Sequence, residues 1–366
     1  MKFITEKSQI VDSLQNAAAV AERRQTIPIL ANLRLRTLEG RLEVTATDLE
    51  IQIKSYSDLV DVQEEGETTV SARKMSELCR SLPEGENVIF SLSNGKLTVS
   101  SSNFHADFAT ISSDDFPEIE INEELSPLVV KSALLKRILS KTSFSMASQD
   151  VRYYLNGMLL EIQGDKLNGV ATDGHRLAFS SAKSGNSELD VRNILPRKAV
   201  LELAKLLPPG ETEVNLLIGP SYVEVKTENL SFSSKLIDGK YPDYDKVFPT
   251  GNPLPLEIDK ETLQAALSRA SVLSNEKYRG VRFQLSTNKL KLTANNPEQE
   301  SAEEELNVDY NGTDLEVGFN IGYLLDVLNS IEGNSVNFEF YGEDSSCIIK
   351  EKGSGDDVYV IMPMRL

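Results

Sequence analysis

One outline is written three times along these 366 residues. LEGRLEVTATDLEI (38–51), IQGDKLNGVATDGHRL (162–177) and LSTNKLKLTANNPEQE (285–300) each open on a turn-forming Gly or Asn. Each continues as an alternating apolar strand and closes on Thr-Asp or Asn-Asn. Leu42, Leu167 and Leu290 mark the same place, 125 and then 123 residues apart. A second word follows in each copy: RKMSELCRSLPEGENVIFSL (73–92), RKAVLELAKLLPPGETEVNLL (197–217) and NIGYLLDVLNSIEGNSVNFEF (320–340). Gly85, Gly210 and Gly333 step by the same 125 and 123 residues. A period this long is that of a whole domain, not of a solenoid repeat. The chain is therefore expected to fold as three similar domains, 1–124, 125–252 and 253–366. Their boundaries fall where Pro, Gly and Asn cluster, in INEELSP (121–127) and FPTGNPLP (248–255).

Within each copy the order is strand, helix, several alternating strands, then helix and strands again. RLEVTATDLEIQI (41–53) and KLTVSSSNFHADFAT (96–110) alternate with period two, which suits antiparallel sheets with one wet face. The second words carry apolar residues at i, i+3, i+4 and end at Pro or Gly, which marks short helices. The expected class is α+β, with helices laid on one side of each copy's sheets.

The formal net charge is −18, which by itself argues against a partner rich in phosphate. The charge is unevenly spread. KSALLKRILSK (131–141) carries Lys131, Lys136, Arg137 and Lys141 and no acid. On a helical wheel Leu134, Leu135, Ile138 and Leu139 share one face, with Lys136, Arg137 and Ser140 opposite. The helices RKMSELCR and RKAVLELAK each set three basic residues against one glutamate. Acids gather in VDVQEEGE (60–67), INEELS (121–126) and EQESAEEE (298–305). Locally basic helices in a globally acidic chain fit either an ordinary solvated face or a surface meant for an anion. Cys79 and Cys347 are too few and too far apart for a disulfide framework or a zinc cluster, which points to a reducing compartment. The N-terminus MKFITEKSQI lacks the apolar stretch of a signal peptide, and no 20-residue apolar span follows, so a soluble, cytoplasmic protein is expected.

The stretch ATDGHRLAF (171–179) poses a chemical question. Asp173, His175 and Arg176 fall within four positions, and a carboxylate beside a histidine is the usual dress of an acid–base pair. No Ser or Cys nucleophile word accompanies them, and neither His105 nor any acid stands at metal-ligand spacing. His175 is therefore expected to be non-catalytic, and no cofactor or metal is expected. An enzyme using Asp173 and His175, or a monomeric peptide-binding scaffold, are the competing functional classes.

Several longer words carry a family resemblance. ATDGHRL, SMASQDVRYYLNGM (145–158), LSNEKYRGVRF (273–283), TANNPEQE and the terminal VIMPMRL resemble the bacterial DNA polymerase III β subunit, the replicative sliding clamp, over essentially the whole chain. The resemblance implies a head-to-tail homodimeric ring around duplex DNA, with helices lining the hole and antiparallel sheets outside. It resolves the charge conflict by placing basic helices towards the phosphates. Sequence-independent contacts suit sliding.

The same resemblance implies a pocket for short linear motifs of the polymerase III α subunit, the clamp loader and repair polymerases. Its residues would be Leu155, Thr172, Gly174, His175, Arg176, Leu177, Pro242, Val247, Val360, Met362, Pro363 and Met364, rimmed by Arg152, Asn320 and Tyr323. Met and Val walls adapt to varied partners. DNA contacts carry over to Arg24, Gln149, Tyr153 and Tyr154, with Arg73, Lys198 and the 131–141 helix adding a diffuse field. The dimer contact carries over to Phe108, Val272 and Leu273, with Glu298, Glu300 and Glu304 facing a basic edge that includes Lys74 and Lys96. Asn103 and His105 stand where some relatives of that family place arginines, which weakens the expected ion pairing.

Overall fold

Among the described residues six α-helices punctuate the chain, two per copy: α1 (Lys7–Ala18), α2 (Ala72–Ser81), α3 (Ser132–Thr142), α4 (Arg197–Leu206), α5 (Lys260–Ser271) and α6 (Ile321–Ser330). The computed structural model describes residues 1–21, 27–185, 188–353 and 355–365. Helix starts follow from local chemistry. The Asp259 carboxylate accepts from the Thr262 N–H at 2.8 Å to open α5, and Asn320 Oδ1 accepts from the Tyr323 N–H at 3.2 Å to open α6. One face of each helix is apolar and buried: Leu263, Ala266, Leu267 and Ala270 on α5, and Ile321, Leu324, Val327 and Leu328 on α6. Against them pack Phe283, Phe319, Phe338 and Phe340, ring centroids 5.4–6.3 Å apart. Side chains of this size each contribute roughly 1.5–3 kcal/mol when fully buried.

Among the described residues the alternating segments form four antiparallel sheets. The chain divides into two compact units, Met1–Ala133 with Glu202–Leu236, and Leu134–Leu201 with Ile237–Leu366. Each unit holds one eight-stranded sheet that crosses a copy boundary. In the first unit, Ile51–Asp58 of copy one pairs with Leu230–Lys235 of copy two, with Ser55 opposite Leu230 and Ile51 opposite Ser234. In the second unit, Arg176–Lys183 of copy two pairs with Asp357–Ile361 of copy three, with Leu177 opposite Val360. The three copies therefore do not make three separate sheets. Strands that would be exposed edges within one copy find partners in the next.

The remaining sheets keep free ends. Phe104–Ala109 is a terminal strand of the five-stranded sheet in the first unit, and Ser301–Asn307 is a terminal strand of the four-stranded sheet in the second. Both cysteines are unpaired and buried, and burial pushes the Cys79 thiol up to about 12. No helix among the described residues is long and apolar enough to cross a membrane.

Candidate functional site

The turn in ATDGHRL is built by its own side chains. Thr172 Oγ1 donates to the Arg176 carbonyl at 2.6 Å and accepts from the Gly174 N–H at 3.0 Å. Asp173 Oδ1 accepts from the N–H groups of His175 (2.9 Å) and Arg176 (3.0 Å), and Oδ2 accepts from Arg176 Nε at 3.1 Å. Both carboxylate oxygens are thus spent on the turn and on Arg176. The side chain of His175 is exposed, while its carbonyl accepts from the Met362 N–H at 2.9 Å. An acid–base pair needs the carboxylate on the imidazole, and this carboxylate holds backbone.

Arg176 rivets the turn to its surroundings. Its guanidinium donates to Asp326 on α6 at 2.5 Å and to the Phe144 carbonyl at 2.7 Å, and lies 4.4 Å from the Tyr323 ring centroid. Asn320 both caps α6 and donates to the Tyr278 carbonyl at 3.2 Å, which ties the start of α6 to the preceding loop. Arg152 closes the other side. It chelates Asp150 at 2.9–3.0 Å and donates to the Asp173 carbonyl at 3.1 Å. The hydrogen bonds from Arg152 hold the Asp150 carboxyl down at about 2. Gly174 sits at φ +88°, and a Cβ there would lie 2.9 Å from Arg152 Nη1, so glycine serves both the backbone and the guanidinium.

Between these polar edges lies an apolar floor. Leu177 and Val360 belong to one buried cluster with Leu159, Val170, Ile194, Tyr241, Tyr244 and Ile348, against which Tyr154 and Val247 are partly buried. Leu155 is buried, whereas Pro242, Met362, Pro363 and Met364 are half-buried. The C-terminal segment is fixed at two points, by Met362 N–H to His175 O and by Met364 N–H to Gly318 O, both 2.9 Å. The structure thus brings the sequence-expected pocket residues to one edge of the second unit. Tyr241 and Tyr244, on either side of Pro242 in the sequence, join this cluster without having been expected there.

The residues expected to meet DNA are less uniform. Arg24 lies outside the described residues. Gln149, at φ +58°, is exposed on a loop, and Tyr153, 56% exposed, opens a 3-10 turn (Tyr153–Leu155). Tyr154 instead packs on the apolar floor. Arg73 is exposed, 3.5 Å from Glu77, and Lys198 is half-buried. The 131–141 segment departs from expectation. Lys131 ends a strand and pairs with Glu211 at 2.5 Å. Arg137 binds the Ser181 carbonyl at 2.6 Å and the buried Asp357 at 3.3 Å. Lys141 is itself buried, on the Ser330 carbonyl at 2.5 Å and Glu332 at 3.0 Å. Arg137 and Lys141 are thus internal fasteners of the second unit, because desolvated cations need fixed partners.

Residues expected at a dimer contact are divided between the two units, Lys74 on α2 and Phe108 on a free sheet edge in the first, Glu304 on a free sheet edge in the second. Phe108 is half-buried on Phe104–Ala109, with His105 3.4 Å from Asp107 on the same strand. Lys74 and Lys96 are exposed in the first unit. In the second unit Val272 is 77% exposed at the end of α5, beside half-buried Leu273. Glu298 and Glu300 are exposed just before the strand Ser301–Asn307, and Asn296 binds Glu300 at 2.7 Å. Glu304 is taken by Arg269 of its own chain, at 2.5 and 3.0 Å.

Comparison with known proteins covers the whole chain. It matches the DNA polymerase III beta subunit in three consecutive stretches: the N-terminal domain over residues 1–120, the central domain over 129–243 and the C-terminal domain over 245–365. It is 44% identical to the beta sliding clamp of Pseudomonas aeruginosa and 43% identical to that of Escherichia coli K12, each alignment covering 100% of both chains. The fold matches the crystal structure of a Pseudomonas aeruginosa DnaN sliding clamp bound to griselimycin with a TM-score of 0.97 at 44% identity, over 100% of both chains. It matches the Caulobacter crescentus pol III beta structure with a TM-score of 0.92 at 33% identity, again over 100% of both chains.

Proposed function

Because this chain belongs to the DNA polymerase III beta subunit family, we propose that it is a sliding clamp, a homodimeric ring that encircles duplex DNA and tethers the replicative polymerase. The observation that carries this reading is the uninterrupted full-length match, at 43–44% identity, to beta sliding clamps. Its domains are 1–124, 125–252 and 253–366. It acts as a processivity factor without chemistry of its own, in the cytoplasm. Two chains join head to tail through the strands Phe104–Ala109 and Ser301–Asn307, which are both unpaired sheet edges. Phe108, Val272 and Leu273 supply the apolar contact, with Glu298 and Glu300 opposite Lys74 and Lys96. Glu304, occupied by Arg269, contributes less. Head-to-tail contacts close only at one rotation per subunit, and twofold closure gives the ring.

DNA is held by topology, so Arg24, Gln149, Tyr153, Arg73 and Lys198 need only weak, sequence-independent contacts. The polymerase III α subunit, the clamp loader and repair polymerases dock linear motifs over Leu177 and Val360, between the Arg152 edge and the C-terminal segment. Removing the chain from Met362 onward tests this division of labour. The truncated protein is expected to sediment as a dimer and still be loaded on DNA, yet no longer to retain the α subunit. A truncated protein that sediments as a monomer would make the tail part of the ring contact instead.

A further inference from the structure

The wall of the pocket formed by Pro242 and Val247 is not part of any sheet; it is a loop ending in a 3-10 turn, Tyr244–Val247. Something must hold it at a set distance from Leu177 and Val360. Two tyrosines three residues apart do so. The Tyr241 hydroxyl accepts from the Thr172 N–H at 3.1 Å, and the Tyr244 hydroxyl donates to Glu161 Oε2 at 2.7 Å. Both rings are buried, at 5% and 7% exposure.

Glu161 is an unusual anchor, a carboxylate buried in the middle of a sheet. Its neighbours across the two adjoining strands are Asn168 and Arg192, each directly opposite in register. Asn168 Nδ2 donates to Oε2 at 3.0 Å and Arg192 Nη1 lies 3.0 Å from Oε1. The guanidinium also sits 5.8 Å from the Tyr244 ring centroid. Burial, then the bond to Glu161, pushes the Tyr244 hydroxyl well above its ordinary range, so it remains a proton donor. Burying a charge costs heavily unless it is paired and hydrogen-bonded, and here each partner is supplied.

The first copy shows that this loop is pinned as a rule, by other means. Phe116-Pro117-Glu118-Ile119 lies 125 positions before Tyr241-Pro242-Asp243-Tyr244. There Glu118 pairs with Arg34 and Lys54, and the Ile119 N–H donates to Gln52 at 2.9 Å. In the copy that carries the pocket, the ionic pin is replaced by tyrosine hydroxyls, and the anchoring carboxylate moves into the sheet.

We propose that Glu161, Tyr244 and Arg192 form a clasp that sets the width of the partner-peptide pocket, making them positioning residues for partner affinity although none of them lies on the pocket's predicted surface. This rests on the reading that partners dock over Leu177 and Val360. The test is a double-mutant cycle on the full-length dimer with Tyr244→Phe, Glu161→Gln and both together. Affinities for the purified α subunit and for griselimycin are measured beside the melting temperature and the sedimentation mass. Tyr244→Phe leaves Glu161 its Asn168 and Arg192 partners, so the fold is expected to stand. Each single change should weaken binding of both probes roughly tenfold, the scale of one charge-assisted hydrogen bond. The double variant should be no weaker than the worse single, because one clasp is broken once, and dimer mass should not change. Wild-type binding with Tyr244→Phe equal to it within twofold would overturn the clasp alone, as would effects that multiply in the double variant. Wild-type protein that binds neither probe would overturn the pocket reading and the clasp with it.

Discussion

The first and second copies make the same turn with the same atoms, and only the second sets a histidine and an arginine on it. In copy one, Thr47 Oγ1 donates to Ile51 O at 2.8 Å and accepts from the Leu49 N–H at 3.0 Å. Asp48 Oδ1 accepts from the Glu50 and Ile51 N–H groups at 2.9 and 2.7 Å. Thr172 and Asp173 repeat each of these bonds in copy two. The carboxylate next to His175 is thus an inherited structural part, present equally where there is no histidine. What differs is the decoration: Leu49, Glu50 and Ile51 against Gly174, His175 and Arg176. Ile51 is buried in a sheet, whereas Arg176 reaches α6 and stacks on Tyr323.

Exchanging the decorations should break the comparison most strongly. Gly174→Leu puts copy one's residue into copy two, where its Cβ would displace the Arg152 guanidinium. A left-handed leucine is tolerated at position 49, with φ 78°, so the fold should survive at a cost of about 1–2 kcal/mol. Affinity for the α subunit, measured by surface plasmon resonance, should fall at least tenfold. The reverse change, Leu49→Gly, relieves the same conformation at a side chain that is 39% exposed. It should raise stability by up to about 1 kcal/mol, net of glycine's extra unfolded-state entropy, and leave binding untouched.

Removing the shared carboxylate should have a similar effect in both copies. Asp48→Ala and Asp173→Ala should each cost about 1–2 kcal/mol in calorimetric unfolding, the value of a capping acceptor with two backbone donors. Asp173→Ala also takes a partner from Arg176, whose Nε lies 3.1 Å from Asp173 Oδ2. Asp→Asn at either position keeps one acceptor oxygen and should be milder. An acid–base role would make Asp173→Asn as damaging to function as Asp173→Ala, and a graded loss that follows stability contradicts that role.

Acid should separate the two loop pins, with the smallest effect at neutral pH. Burial raises the Glu118 carboxyl, but hydrogen bonds and charge from Arg34 and Lys54 outweigh it and hold it at about 2. A depressed carboxyl contributes stability that is complete above its unfolded value, about 4.3, and is lost as pH falls towards the folded value. Protection of the Ile119 amide, taken against its intrinsic exchange rate at each pH, should therefore fall between pH 4.3 and about 2, and Glu118→Gln should abolish that dependence. Protection equal across this range in the wild type would mean that the ion pairs do not hold the loop.

Much of this organisation was legible in the sequence because it is local. The repeat words, the short helices that end at Pro or Gly, and the Thr-Asp turn each depend on residues within a few positions. The pairing of Arg137 with Asp357 spans 220 residues, and nothing near position 137 announces it. A basic stripe on a helix looks the same whether its partners are phosphates or distant carboxylates. The clasp hid for a related reason. Glu161 reads as a polar position on an alternating strand, and only the sheet register sets Asn168, Arg192 and Tyr244 around it. The family words named Pro242 and Val247, while the hydrogen bonds that fix their loop had to come from the fold.

The central claim is that the protein encircles DNA without gripping it. Rings placed on a nicked circular duplex by a clamp loader should co-elute with the DNA through gel filtration at moderate salt. A few phosphate contacts give only a modest salt slope, about one unit per contact, and a closed ring cannot leave by breaking them. After a single restriction cut the same rings should slide off the ends, and the protein should elute free of DNA. Equal retention before and after the cut would contradict the clamp, because only a protein that grips DNA would be indifferent to its ends.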